Sequence, residues 1–299
     1  VGKKRRSSLM PVKPVLQLIL ASLLWGLGFV ASSWSIRTFT SIESVTYRFI
    51  IAALLGQLIL FFLKSEKANF HTKDFIKALP AGILLGLMQL TQTIGLETTT
   101  SGKSAFITSL YILFVPLISS LFLKESYRKI NYIFCFTALM GTLFLVNPDF
   151  KKFTPGDFWT LACALIAALH IIYTGFIADR IQQLFRFNTY QSFWAFLLIA
   201  PCLMLQSKIT FFTTDLKTIY GLLYLCIGSS LIAFYLQLKA QKFLSNSVVT
   251  MITLLESPTA AVCGLFILSQ AMSFTQIGGA ICIMISSSLM IYFNRHSEK

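Results

Sequence analysis

Ile107-Thr108-Ser109-Leu110-Tyr111 reads again as Ile252-Thr253-Leu254-Leu255-Glu256, 145 residues further along a chain of 299. The same shift lays Gln92 on Gln237, Leu20 on Leu165, Leu24 on Leu169, Ile36 on Ile181 and Leu58 on Leu203. Apolar coincidences mean little in a chain this rich in Leu and Ile. The glutamine and the Ile-Thr-x-Leu string carry the comparison, and no gap is needed from the first apolar run to the fourth. Trp25 falls on His170 and Tyr111 on Glu256. The competing reading is helix-packing similarity without functional meaning.

The repeated unit is apolar. The chain is 56% hydrophobic and 12% charged, with a mean hydropathy of +0.74, where soluble domains carry about 25% charged residues. Its apolar residues come in runs long enough to cross a bilayer. Ten spans are predicted, at roughly 15–36, 43–63, 75–96, 102–123, 130–146, 157–177, 189–206, 217–238, 247–268 and 274–293. Each repeat then holds five spans. Five is odd, so the second copy enters the membrane the opposite way round, a plan common in secondary transporters, whose sites lie where the repeats meet. The expected fold is an all-α polytopic membrane protein of ten transmembrane helices in two inverted five-helix repeats. Residues 1–14 are read as a basic tail, 15–146 as the first repeat, 147–156 as a connecting loop, 157–293 as the second repeat and 294–299 as a second tail.

Charge sets the expected orientation. With the N-terminus in the cytoplasm, eighteen Lys and Arg fall in cytoplasmic segments and six outside, leaving Arg48 within the second span. This bias predicts both termini cytoplasmic. It also accounts for the net charge of +14 without nucleic acid, which is not an expected partner. The basic Lys3-Lys4-Arg5-Arg6 ahead of an apolar run imitates a signal peptide. That run is too long for one, and it has a counterpart in the second half. The six cysteines lie in apolar runs without metal-ligand spacing and read as small packing residues.

Trp25-Gly26-x-Gly28-Phe29-Val30 and Arg48-Phe49 resemble EamA-domain proteins of the drug/metabolite transporter superfamily. So do Thr99-Thr100-Ser101-Gly102-Lys103-Ser104 running on to Phe114-Val115-Pro116, His170-Ile171-Ile172, Gln237 to Gln241, and Leu255-Glu256-Ser257-Pro258. The resemblance covers nearly the whole chain. It implies a ten-helix carrier in a bacterial inner membrane. Its central cavity would be lined by helices one, three, four, six, eight and nine, with five and ten peripheral. Family members carry amino acids, nucleotide-related metabolites and other small polar solutes. The family usually ends its fourth and ninth helices with Gly-Glu; this chain has Lys124-Glu125 and Ser269-Gln270.

Polar residues inside apolar spans face a cavity or a partner, because a charge at the bilayer centre costs about 2.5–3.5 kcal/mol or more. The candidates for substrate contact are Trp25, Gln89, Gln92, Tyr111, His170, Tyr173, Gln237 and Glu256. Glu256 is read either as a titratable or cation-binding group or as a structural pair. His170 is a cavity group or a satisfied packing residue. Tyr173 and Thr174 follow it at three and four residues, on its helical face. Gln89 and Gln92 share one face, as do Gln237 and Gln241; amides bond a solute or glue helices. Tyr111 and Trp25 wall a cavity or brace helices. Lys103 is expected to snorkel to the interface, Arg48 to anchor its helix and Glu97 to be solvated. Gly278, Gly279 and Ser286 to Ser288 are read as a packing or dimer surface.

These features predict a secondary transporter that moves a small polar metabolite, amino-acid-like or nucleotide-related, by alternating access. Proton coupling through Glu256 or His170, contact with membrane lipids and a homodimer belong to the same expectation. No cofactor or metal is expected. The alternatives are a channel or a non-transporting sensor, then a membrane enzyme. No HExxH motif, intramembrane Asp pair, selectivity-filter element or Walker motif is present in the sequence.

Overall fold

The computed structural model describes residues 11–62, 71–99, 101–122, 129–146, 153–267 and 272–296. Lys3 to Arg6, Lys124-Glu125 and Ser269-Gln270 lie outside the described residues. The first half comprises α1 (Val12–Ser35), α2 (Ser41–Phe62), α3 (Thr72–Thr98), α4 (Ser101–Ser109), α5 (Tyr111–Phe122) and α6 (Lys129–Val146). The second comprises α7 (Pro155–Ile177), α8 (Leu184–Ile199), α9 (Leu216–Tyr224), α10 (Phe234–Gln241), α11 (Asn246–Thr253), α12 (Glu256–Ile267) and α13 (Phe274–His296). Among the described residues there is no strand. Nine helical stretches among the described residues are long and apolar enough to cross a membrane. Large apolar side chains point outward, Phe266 at 79% and Phe274 at 94% exposure, while Ser, Thr, Asn and Gln are buried inside. A protein solvated by lipid has this distribution, because every backbone polar group must be satisfied within helices. The chain is an integral membrane protein.

The span predicted at 189–206 is α8, which starts five residues earlier and has only 16 residues. Its first turns carry Arg186, Asn188, Thr189 and Gln191, all buried against protein, so an apolar window begins too late. Arg186, counted above as a loop cation, is inside this helix. The α-helix stops before Pro201, and 3₁₀ turns continue to Leu205.

Two spans are broken. α4 gives way to α5 at Leu110, where Leu110 N–H bonds Ile107 O at 3.1 Å and Ser109 Oγ donates to Phe106 O at 2.6 Å. α11 gives way to α12 at Leu254-Leu255; Pro258 cannot donate to Leu254 O, which accepts from Ser257 N–H instead, at 3.1 Å. Leu110 and Leu255 stand 145 positions apart, so the breaks fall at matching places. A third irregularity is a π-helical segment, Leu225–Ala233, between α9 and α10. Asn188 Nδ2 supports it by donating to Ser230 O and Leu231 O, each at 3.0 Å.

Hydrogen bonds define two ends of the bundle. At one end, Arg37 meets Asp215 at 3.3 Å and Ser41 Oγ donates to Glu97 at 2.5 Å. Glu43 accepts there from Thr40 N–H and Thr210 N–H. Asp157 at the start of α7 accepts from Thr99 Oγ1 and Lys103 Nζ, both at 2.6 Å. Lys103 therefore does not snorkel: it is buried, paired with a buried carboxylate and seated over Phe153. At the other end, Asp74 Oδ2 accepts from Gln182 N–H and Gln183 N–H, and Lys77 Nζ donates to Arg180 O. α1 finishes and α7 begins at the first end.

Helices α6 and α13 pack on each other. A Cβ on Gly141 or on Gly279 would collide with the facing helix, so glycine permits the close approach. Thr137 and Ser286 share a 2.9 Å bond across the same seam, and Ser287 Oγ donates to Met251 O. Gly279, Ser286 and Ser287 thus serve contacts within the chain.

Candidate functional site

A cavity lies between the halves, with about 750 Å³ of space not filled by atoms, counting the part continuous with the outside. It is lined from mid-bundle toward the end where α1 finishes. α1 contributes Trp25, Gly28, Phe29 and Ser32; α3 contributes Met88, Gln89, Gln92 and Leu96; α7 contributes Cys163, Ala167, His170 and Ile171. No lining residue comes from 12–24, 49–62, 72–87, 112–122, 172–177 or 238–252. Those segments hold the opposite end, where Leu18, Ile112, Val115, Val248, Met251 and Ile252 form a fully packed apolar layer. Ser22 Oγ crosses that layer to Ile252 O at 3.0 Å.

Seven of the eight predicted contact residues surround this one cavity: Trp25, Gln89, Gln92, Tyr111, His170, Gln237 and Glu256. Tyr173 does not. Its hydroxyl donates to Lys77 O at 2.8 Å, and its ring packs against the buried cluster that includes Ile177, Phe187 and Tyr190 near the closed end. It is one turn beyond His170, and one turn suffices to carry it past the cavity floor. Gln241 is likewise occupied, donating to Ile171 O at 2.9 Å.

Phe234 organises the aromatic wall. The Trp25 ring meets it edge-on at 5.0 Å and the His170 ring at 5.7 Å. Trp25 and His170, 145 residues apart, thus flank one ring from opposite halves. The indole Nε1–H of Trp25 is buried without a hydrogen-bond partner. Among the described residues the amides of Gln92 and Gln237 have no hydrogen-bond partner either, and both line the cavity.

A chain of amides fixes the His170 tautomer. Asn188 spends its Nδ2 on backbone carbonyls, so its Oδ1 accepts from Gln191 Nε2 at 2.7 Å. Gln191 therefore turns its Oε1 to His170 Nε2, at 3.3 Å. In the neutral ring, Nε2 carries the proton and Nδ1 is the acceptor.

Tyr111 and Glu256 open α5 and α12, immediately after the two breaks. The tyrosine hydroxyl donates to Glu256 Oε1 at 3.1 Å. The break in each span thus delivers one polar group to the same point.

The sequence reading underrated Arg48. It lies two turns inside α2, is 4% exposed and lines the cavity. Nε donates to Ser230 Oγ at 2.8 Å, Nη1 to Gln89 Oε1 at 2.5 Å and Nη2 to Ser229 Oγ at 2.8 Å. The π segment supplies both serines. Span two therefore joins the spans that the resemblance assigned to the cavity. The signal was available: an arginine seven residues inside an apolar helix bears the same insertion cost that singled out Glu256. Among the described residues no group of three or more His, Cys, Asp or Glu is placed to hold a metal.

The profile of the EamA-like transporter family matches residues 12–147 and 154–292. A protein of Archaeoglobus fulgidus named "Uncharacterized transporter" is 29% identical over 271 residues, covering 91% of this chain and 83% of its own. "Uncharacterized transporter YoaV" of Bacillus subtilis is 26% identical over 159 residues, 53% of this chain and 54% of its own. A solved structure described only as "Crystal structure of protein" superposes with a TM-score of 0.75 over 96% of this chain and 99% of that one. At 16% identity it speaks for the fold alone.

Proposed function

This chain belongs to the EamA-like transporter family, and on that premise we propose that it is a secondary carrier of a small polar metabolite, amino-acid-like or nucleotide-related, in a bacterial inner membrane. The observation that carries this reading is the one-sided cavity. Polar and aromatic side chains from both halves converge on it, and a packed apolar layer closes it from the opposite end. A site that meets only one side at a time is what alternating access requires, whereas a channel needs a continuous path. The two halves, taken as inverted repeats with both termini cytoplasmic, exchange the open and closed ends by rocking about the site. The breaks at Leu110 and Leu255 give α4–α5 and α11–α12 a place to bend. Trp25, Gln92, Tyr111, His170, Gln237 and Glu256 hold the solute. Glu256 couples its movement to protons, and a homodimer forms through the exposed apolar face of α13.

The test is counterflow in proteoliposomes. A carrier accumulates labelled solute against unlabelled solute preloaded inside, and the rate saturates. Flux that rises linearly with concentration and shows no counterflow for any solute in a metabolite panel rejects the reading.

A further inference from the structure

Among the described residues Arg48 makes three hydrogen bonds, all to neutral oxygens, those of Gln89, Ser229 and Ser230. Among the described residues no carboxylate pairs with it; the acid that lines the same cavity, Glu256, accepts from Tyr111. A guanidinium has five N–H donors and stays charged. Three are used, so each terminal nitrogen keeps one N–H. Burying a full charge against dipoles alone is costly, and a neutral amide would tie α2, α3 and the π segment together without that cost. Two N–H groups on adjacent nitrogens suit a planar oxyanion, which accepts from both.

We infer that Arg48 binds the carboxylate of the transported solute, and that the cargo is a small zwitterion of the amino-acid kind with its ammonium toward Glu256 and Tyr111. This rests on the carrier reading above and narrows it. The charges match: one fixed cation and one acid on the cavity wall against one carboxylate and one ammonium on the solute. A phosphate monoester fits less well, since its second negative charge has no cation among the lining residues and Glu256 repels it. The unpartnered amides of Gln92 and Gln237 and the Trp25 Nε1–H supply neutral contacts between the two poles.

The experiment uses the full chain in proteoliposomes and a panel of L-amino acids, each matched with its carboxamide and its decarboxylated amine, with nucleoside monophosphates as a separate arm. Counterflow is expected for at least one amino acid, with its amide and its amine weaker by at least about tenfold. Arg48→Gln should bring acid and amide to within about twofold of each other, and Arg48→Lys should fall between, since an ammonium keeps the charge but loses the fork. The inference is overturned if amides or amines exchange as well as their parent acids, if only phosphates exchange, or if no amino acid exchanges. The acid–amide comparison is made on the unaltered protein, so it stands even if a variant misfolds. The carrier reading falls separately, and only if no solute of any class shows counterflow.

Discussion

The Tyr111 hydroxyl donates to Glu256 Oε1 across 3.1 Å, and these two residues stand 145 positions apart in the chain. One residue lies in each half of the chain, and both line the cavity. The bond is therefore a clasp between the halves at the floor of the cavity, and it joins the two helix breaks.

If Glu256 carries the coupled proton, Glu256→Gln should flatten the pH dependence of uptake across the neutral range, and because Glu256 also lines the cavity it should slow exchange as well. Unchanged pH dependence in the variant would remove Glu256 from the coupling. Tyr111→Phe deletes only the donor. It should cost about 1 kcal/mol, or roughly fivefold in exchange rate, and the two effects should be non-additive in the double variant.

Lys103 and Asp157 form a buried pair at 2.6 Å, joining the start of α4 to the start of α7. Lys103→Met or Asp157→Asn alone leaves one charge without its partner and should destabilise the protein by about 3–5 kcal/mol. The double change should recover much of that loss. Thermal unfolding in detergent reads the difference; equal losses in the single and double variants would refute the argument.

Gln191 is committed on both sides, to Asn188 and to His170. Gln191→Met keeps the volume but orphans the Asn188 Oδ1 and the His170 Nε2. A loss of about 1–3 kcal/mol is expected, together with weaker solute binding as the imidazole loses its fixed tautomer. Substrate-dependent quenching of tryptophan fluorescence would report the second effect.

Gly141→Leu or Gly279→Leu forces α6 and α13 apart, since even a Cβ at either position collides with the facing helix. Overpacking of this kind costs about 1–3 kcal/mol. The loss should appear as a lowered melting temperature, with cavity binding little changed because neither helix lines the cavity. Binding that falls in step with stability would show that this seam also shapes the site.

Much of this was legible beforehand because the bilayer enforces it. Apolar runs of about twenty residues have one use in such a chain, which is to cross the bilayer as helices. Seven of the eight predicted residues line the cavity, because a polar group inside a span has to face something. Tyr173 escaped that logic: a helix face says which way a side chain points, not where along the axis the cavity ends. Lys103 escaped for a different reason. A cation near a span terminus reaches lipid headgroups as readily as a buried partner, and only the fold brings Asp157 to it. Arg48 did carry a signal in its depth inside α2, but only the fold brings Ser229 and Ser230 to it. The π segment and the buried start of α8 leave no periodic trace at all. Phe234 had a faint one, since it falls 145 residues after Gln89.

That last pairing has a consequence of its own. In the first half, the position holds Gln89, bound to Arg48; in the second, it holds Phe234, wedged between Trp25 and His170. The 145-residue offset thus pairs positions whose inner surfaces differ in kind, hydrogen-bonding on one wall and aromatic on the other. In the proposed carrier, a cargo turned end for end would meet unlike partners, so a single bound pose is expected. A carboxylate on Arg48, an ammonium on Glu256 and a side chain on the aromatic wall would be three unlike contacts, so the proposed carrier is expected to exchange one enantiomer of its cargo and pass over the mirror image.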